Sequence, residues 1–170
     1  MSNLQAREAL ERARRVFLEK PSAGRNPNTV ATAVWRDGLR CEIAGRSGET
    51  ALTDMPEPMG GGGKGANPGW LLRASIASCT ATVIAMRAAM LGVELRSLEV
   101  IVQSESDVRG LVGMAGIPTS LDGIRMSIRI GADNVPETQL RELAAWGEAH
   151  SPVSCTLREH PQAAVEILVV

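Results

Sequence analysis

The residues of this 170-residue chain best suited to chemistry are its three cysteines, Cys41, Cys79 and Cys155. An odd number of cysteines in a chain without an export signal argues against a structural disulfide framework and favours free thiols. A free thiol is either a small buried apolar residue or, where its surroundings make it acidic, a nucleophile and redox centre. Cys41 alternates with Leu39 and Ile43 in a strand-like pattern, which favours packing.

Cys79 lies inside the apolar stretch NPGWLLRASIASCTATVIAMRAAMLG, which ends at Gly92. This pattern predicts a helix from about Gly69 to Leu91 that is apolar on nearly every side. Such a helix usually lies at the centre of a core or in a subunit interface. Cys79 is therefore either inert packing or a reactive group held in a largely apolar site.

A second candidate segment is HSPVSCTLR, in which Ser151 and the proline after it are typical of a helix N-terminus. The positive end of that helix can stabilise a thiolate. Cys155 lies four residues after Ser151, about 6 Å along the helix. Because disulfide Cα atoms must lie within about 4.4–6.8 Å, Cys155 can pair with Cys79 only if its side of the helix points there. His150 is either a base or hydrogen-bond partner for Cys79, or a helix-end cation.

The elements that must position these residues follow from hydrophobic periodicity. An amphipathic helix over residues 2–19 ends before Pro21, and the pair Asp37-Gly38 predicts a β-hairpin turn. The connection over residues 107–120 is ambiguous and could extend the strand before it. The remaining predictions are strands at Thr29–Trp35, Leu39–Ile43, Thr50–Thr53, Leu98–Ser104 and Gly123–Ile130, a helix from Pro136 to about His150, and a final strand in AAVEILVV, residues 163–170.

The run GGGGKG at residues 60–65 resembles a phosphate-binding loop only superficially. Pro58 stands where the P-loop spacing requires Gly, and Gly65 follows Lys64 where Ser or Thr is required. The sequence therefore predicts a mobile surface loop, with a lid over a neighbouring pocket as the alternative.

Composition excludes several classes of function. The chain is 44% hydrophobic with a net charge of −1, one Phe, three Trp and no Tyr, which suits neither nucleic acid nor an anionic membrane surface. No uninterrupted run reaches the roughly 18 apolar residues of a membrane span. The charged, helical N-terminal pattern lacks a secretory apolar region, so we expect a cytoplasmic protein. We expect an N-terminal helical arm over residues 1–28 and one domain over residues 29–170.

Two motifs in combination carry a family resemblance: NP-x-x-L-L followed by S-C at Ser78-Cys79, and HSPVS from His150. Over residues 29–170 the sequence resembles the OsmC/Ohr family of osmotically inducible and organic hydroperoxide resistance proteins. The resemblance implies an α+β fold, with antiparallel sheets packed around a long central apolar helix in an intertwined homodimer. It also implies reduction of organic hydroperoxides without a cofactor or metal, and an external thiol as reductant.

By the same resemblance Cys79 is the attacking thiol and Arg36 is the arginine that favours its thiolate and stabilises the departing alkoxide. The family places a glutamate that orients this arginine after the Asn-Pro pair, where Gly69 stands here. Asp54, Glu49 and Glu57 are the candidates to replace it. Trp70 and Gly69 are then expected to line the pocket, together with His150 and Ser151.

The resolving thiol of the family falls on Ser151, and a hydroxyl cannot form a disulfide with a sulfenic acid. Regeneration of Cys79 is therefore expected from Cys155 or from an external thiol. Two alternatives stay open: a non-catalytic dimer of this fold that binds a small apolar or electrophilic molecule, and one-thiol chemistry on another electrophile.

Overall fold

The computed structural model describes residues 3–169, which form five helices, five strands and two short 3₁₀ turns. The helices are α1 (Asn3–Glu19), α2 (Pro68–Leu91), α3 (Val108–Leu111), α4 (Glu137–Ala149) and α5 (Pro152–Glu159). The strands are β1 (Ala31–Asp37), β2 (Arg40–Gly45), β3 (Thr50–Thr53), β4 (Leu95–Glu105) and β5 (Asp122–Ala132). The 3₁₀ turns are Pro21–Gly24 and Glu57–Met59.

The described residues gather into two compact units. The first unit contains residues 3–7, 75–102 and 126–169, and the second contains residues 8–74 and 103–125. Each is described below by itself. The expected boundary at residue 28 between an arm and a domain stays a prediction.

The first unit is built on a sheet of β4 and β5 that packs, with α4, against the apolar helix α2. Its core consists of Ile84, Ala88, Val93, Leu143 and Ala144, surrounded by partly buried residues of the sheet. Gly147 lets α4 approach α2 closely, because a Cβ there would lie 3.0 Å from the Ile84 Cα. The predictions of the long apolar helix, of both strands and of α4 are confirmed.

The second unit contains an antiparallel sheet in the order β1-β2-β3. Gly38 has φ +51, a conformation that suits glycine at a tight hairpin turn. The register pairs Trp35 with Cys41 and, beyond a bulge, Asp37 with Arg40. The hairpin predicted from Asp37-Gly38 and the short third strand are both confirmed.

Helix α2 begins where the sequence predicts because Asn67 caps it. The Asn67 Oδ1 accepts hydrogen bonds from the backbone N–H of Gly69 at 2.8 Å and of Trp70 at 3.3 Å. Its 24 residues are long and apolar enough to cross a membrane, a property that core helices of soluble proteins share. Five of its residues are buried within the described chain: Ile76, Thr80, Ile84, Ala88 and Ala89.

The predicted closing strand is wrong. Residues 163–169 have no regular structure, and Val165, Ile167, Leu168 and Val169 are 77–94% exposed. Alternating apolar residues suit a strand, but a strand forms only where a neighbouring strand satisfies its backbone groups, and this segment pairs with no strand of the described chain. Val170 lies outside the described residues.

The ambiguous connection after β4 does not extend that strand. It contains α3, whose N-cap Asp107 accepts a hydrogen bond from the Arg109 N–H at 3.0 Å. The side chains of Asp107 and Arg109 also form an ion pair. A local cap and ion pair thus favour a helical turn over continued extension.

The glycine-rich loop is held by a buried carboxylate. Asp54 is 4% exposed and accepts hydrogen bonds from the N–H groups of Met55, Gly62 and Lys64 at 2.8, 3.1 and 3.2 Å. Burial raises the pKa of Asp54, but these backbone donors and the charge of Arg40 together lower that pKa below its ordinary value. The sequence predicts a mobile loop, whereas in the structure two residues of the loop, Gly62 and Lys64, are hydrogen-bonded to one side chain.

Candidate functional site

Cys79 lies in the first unit on α2 and is half-buried, with a free thiol. The neighbouring face of the same helix is closed to solvent, because Ile76 is 2% exposed and Thr80 is 0% exposed. Cys79 therefore stands at the edge of the core, beside fully buried residues.

The turn of α2 that carries Cys79 contacts the first turn of α5. Thr80 Oγ1 and Ser154 Oγ lie 3.3 Å apart in a buried hydrogen bond. Each hydroxyl satisfies the other, so the contact holds α5 against α2. The sequence interpretation missed Thr80, although a hydroxyl residue next to a cysteine on an otherwise apolar helix was the available signal.

Ser151 is fully buried at the start of α5. It is 0% exposed, and its side chain does not cap the helix. Its backbone is satisfied, since the N–H donates to the Glu148 carbonyl at 3.3 Å and the carbonyl accepts from the Cys155 N–H at 2.9 Å. Within the described chain the Ser151 Oγ has no hydrogen-bond partner. The predicted helix start is confirmed. Ser151 is the N-cap residue, as predicted, but its side chain makes no capping hydrogen bond.

Cys155 is half-buried, and its sulfur is engaged with the end of α4. Its Sγ donates to the Ala149 carbonyl at 3.3 Å and accepts a hydrogen bond from Arg158 Nη2 at 3.2 Å. Arg158 also forms an ion pair with Glu148. The hydrogen bond to Glu148 raises the Arg158 pKa; burial opposes this rise and Cys155 adds to it. Whether Cys155 reaches Cys79 stays a prediction.

His150 stacks on Trp146, with ring centroids 3.9 Å apart and an angle of 13° between the rings. The guanidinium of Arg87 lies 4.6 Å from the centroid of the same tryptophan ring. His150 Nδ1 bonds the Trp146 carbonyl at 2.8 Å, so this nitrogen carries the hydrogen and Nε2 is the atom left for other partners. The role of His150 as a base for Cys79 stays a prediction.

In the second unit Arg36 is oriented by a carboxylate that the sequence interpretation did not consider. Arg36 Nε donates to Glu42 Oε2 at 2.8 Å, with both side chains about half exposed. The two residues lie on neighbouring strands, because the register pairs Glu42 with Val34. The hairpin turn sets which residues of β1 and β2 lie opposite each other, and this pairing could have identified Glu42 as a neighbour of Arg36.

Two of the three candidates to replace the glutamate are engaged elsewhere. Asp54 holds the glycine-rich loop, and Glu49 Oε2 accepts from the Ser47 N–H at 2.9 Å. Gly69 takes part in the cap of α2, where a Cβ would lie 3.0 Å from the Asn67 Oδ1. Trp70 is 53% exposed beside it.

Arg36, Gly69 and Trp70 belong to the second unit, whereas Cys79, His150, Ser151 and Cys155 belong to the first. Within the first unit, the Thr80–Ser154 contact brings the Cys79 turn to the helix that carries Ser151 and Cys155. The proximity of Arg36 to Cys79 stays a prediction.

A cavity of about 800 Å³ lies in the second unit, against the connection after β4. It is lined by Glu105, Ser106, Asp107, Val108, Arg109, Pro118, Ser120 and Asp122, and by none of the predicted site residues. Among the described residues, no group of three or more His, Cys, Asp or Glu side chains is placed to hold a metal ion.

Comparison with known proteins identifies a family and a fold. The family model described as OsmC-like protein matches residues 61–166. An OsmC-like protein of Mycoplasma pneumoniae is 18% identical with a TM-score of 0.65, covering 79% of this chain and 89% of that chain. No curated protein matches the sequence.

Two further solved structures are organic hydroperoxide resistance proteins by name. The protein of Elizabethkingia anophelis, with crystallant-derived thiocyanate bound, is 16% identical with a TM-score of 0.61 and covers 79% of this chain and 90% of that chain. OhrB of Bacillus subtilis is 20% identical with a TM-score of 0.52 and covers 78% and 91%. At these identities the likeness shows the fold.

Proposed function

The chain belongs to the OsmC-like protein family, and we propose that it serves in oxidative stress defence by reducing organic hydroperoxides through Cys79. Similar structures that carry the name organic hydroperoxide resistance protein support the stress-defence role. The cytoplasm, which keeps thiols reduced, suits a chain with three free cysteines.

The observation that carries the proposal is the place of Cys79 at the boundary of the core. A purely structural cysteine is expected among the buried residues of its helix, as Ile76 and Thr80 are. Cys79 is instead partly exposed, as Cys41 and Cys155 also are, and of the three it alone lies on the long apolar helix beside buried residues. A hydroperoxide can reach a partly exposed sulfur, and apolar surroundings suit the organic portion of such a substrate.

The proposed reaction begins with attack of the Cys79 thiolate on the terminal oxygen of the hydroperoxide. A sulfur–oxygen bond forms while the oxygen–oxygen bond breaks, so Cys79 becomes a sulfenic acid and the alkoxide takes a proton to leave as an alcohol. Arg36 is proposed to stand beside the sulfur, where its charge favours the thiolate and stabilises the alkoxide. Its pairing with Glu42 supports this role, since a guanidinium held by a carboxylate is oriented in advance.

We further propose that the functional form is a homodimer. The apolar residues of 163–169 are largely exposed in the single chain, and so are Val34 and Trp35 of β1, at 43% and 67%. Burial of such surface against a second copy is a strong driving force for association.

The test of the proposal is trapping of a Cys79 sulfenic acid. The reduced protein is treated with an alkyl hydroperoxide and a dimedone-type reagent, and the modified peptide is identified by mass spectrometry. We expect the adduct at Cys79 and loss of peroxide consumption by at least about 100-fold in Cys79→Ser, because a hydroxyl is a far weaker nucleophile at neutral pH. Cys41→Ser is the matched control and should retain full activity.

A second candidate function, non-catalytic binding of a small apolar or electrophilic molecule, is favoured by Gly69 and Ser151, which occupy the places of the family's glutamate and resolving thiol. Under this alternative Cys79 stays unmodified in excess alkyl hydroperoxide. That result would replace the peroxidase proposal with the binding function.

A further inference from the structure

The side chain of Ser151 is unusual because it is closed to solvent and unsatisfied at once. Its exposure is 0%, and within the described chain its Oγ lacks a hydrogen-bond partner. Its backbone N–H and carbonyl are both bonded, so the hydroxyl alone is left over. A buried hydroxyl without a partner is destabilising, and such groups in folded proteins call for an explanation.

The position of this hydroxyl suggests the explanation. Ser151 lies one turn of α5 before Ser154, and Ser154 Oγ is 3.3 Å from Thr80 Oγ1. Thr80 follows Cys79 directly, so Ser151 and Cys79 flank the same buried contact between α5 and α2. The reduced thiol is a weak hydrogen-bonding group, whereas an oxidised sulfur carries an oxygen that accepts strong hydrogen bonds.

We propose that Ser151 is the hydrogen-bond partner of oxidised Cys79. The inference rests on the proposed function, since it concerns the sulfenic acid that the reaction with hydroperoxide forms. The Ser151 hydroxyl donates to the oxygen that the sulfur has gained and thereby holds the sulfenic acid in one orientation. Because the bond lies in a water-poor site, it is stronger than the same bond in solvent.

This assignment makes the chain a one-thiol enzyme in which Ser151 protects the intermediate. A serine forms no disulfide, so regeneration falls to an external low-molecular-weight thiol. The first thiol attacks the sulfenic sulfur, a mixed disulfide forms and water leaves. A second thiol then attacks the mixed disulfide, releasing the external disulfide and reduced Cys79. Two thiols are oxidised for each hydroperoxide reduced.

The experiment compares Ser151→Ala with the unchanged full-length chain. Each reduced protein is oxidised with a small excess of an alkyl hydroperoxide, because formation of the sulfinic acid consumes a second equivalent. A dimedone-type reagent is added after increasing delays. Mass spectrometry of the Cys79 peptide then measures the sulfenic and sulfinic acids. We expect the same initial yield of sulfenic acid in both proteins and a lifetime about tenfold shorter in Ser151→Ala, with more sulfinic acid.

Ser78→Ala is the matched control, because Ser78 precedes Cys79 and its exposed hydroxyl donates to the Ser75 carbonyl at 3.3 Å. It should leave the lifetime unchanged. Ser151→Cys supplies a second readout, since a thiol at this position should form a disulfide with Cys79 on oxidation.

The outcomes separate the two proposals. Normal formation of sulfenic acid with an unchanged lifetime in Ser151→Ala, or no disulfide in Ser151→Cys, overturns the role of Ser151 and leaves the peroxidase proposal standing. A prompt Cys79–Cys155 disulfide in the unchanged chain also overturns it. Absence of any sulfenic acid in the unchanged chain overturns both.

Discussion

At the scale of single residues, the three hydroxyl groups around the α2–α5 contact differ in how they are satisfied. Thr80 and Ser154 bond one another, whereas Ser151 Oγ is buried without a partner in the described chain. A net hydrogen bond contributes about 1 kcal/mol, but a buried polar group left without one costs about 1–3 kcal/mol. Ser151, directly before α5, and Ser154 within α5 are therefore expected to respond oppositely to removal of their hydroxyls.

Ser151→Ala should stabilise the reduced protein, raising the free energy of unfolding by about 1 kcal/mol, because it removes an unsatisfied polar group from the interior. Urea unfolding in the presence of reductant measures the change. Ser78→Ala, at an exposed site, should stay within about 0.5 kcal/mol of the unchanged chain. A clear loss of stability in Ser151→Ala would show that the hydroxyl has a partner in the reduced protein.

At the scale of elements, the approach of α4 to α2 depends on the absence of a side chain at Gly147. A Cβ there would overlap Ile84 Cγ1 and lie 3.0 Å from the Ile84 Cα, where backbone cannot easily give way. Glycine lowers the intrinsic stability of a helix by about 1 kcal/mol relative to alanine, so the close approach is made against helix propensity.

Gly147→Ala should lower the free energy of unfolding by about 1–3 kcal/mol, because overpacking at the helix contact outweighs the gain in helix propensity. Ala145→Ser, on the exposed side of α4, is the matched control. Thermal or urea unfolding measures both variants. A more stable Gly147→Ala protein would mean that the two helices have room to separate.

The order of the glycine-rich loop should depend on pH, because the loop is hydrogen-bonded to the carboxylate of Asp54. The folded-state pKa of Asp54 lies below its ordinary value, so ionised Asp54 stabilises the folded protein. This contribution is fully present above the unfolded pKa of about 3.9 and is lost as pH falls through the lower folded value. The loop should therefore be ordered at neutral pH and should loosen below about pH 4.

Asp54→Asn should remove this dependence and increase amide exchange at Gly62 and Lys64 several-fold at neutral pH, since the amide accepts these hydrogen bonds less strongly than a carboxylate. Hydrogen exchange of the loop, corrected for intrinsic rates, is the measurement. Asp133→Asn, with a 75% exposed side chain, serves as the control. Equal protection in Asp54→Asn would show that other contacts order the loop.

At the scale of the whole molecule, the single chain leaves much apolar surface in water. The residues of the C-terminal segment have the highest exposure, up to 94% at Val169. Analytical ultracentrifugation should find a particle of twice the mass of one chain. Ile167→Asp should weaken its association roughly tenfold or more, because a carboxylate is costly to bury. Glu166→Gln should leave it unchanged, and a monomeric unchanged chain would contradict the homodimer.

Sequence alone determined most of the elements and the leading candidate for chemistry. The hairpin, the long apolar helix and α4 follow from the turn and capping residues and from a repeating apolar pattern, which depend on neighbours close in the chain. Cys79 was identified by its motif. The predictions of these elements hold because local physics sets helix and strand periodicity before any distant contact forms, whereas the role of Cys79 stays a prediction.

Only the tertiary structure decided which side chains meet. Thr80 and Ser154 are separated by 74 positions, and no local pattern predicts their hydrogen bond or the unsatisfied hydroxyl of Ser151 beside it. The same is true of Asp54 in the glycine-rich loop. Glu42 beside Arg36 is different, because the pairing of the two hairpin strands could have identified it. The prediction of a closing strand was wrong because it also depended on a distant contact. Apolar alternation supplies a surface to bury, but a strand also requires a neighbouring strand to bond its backbone.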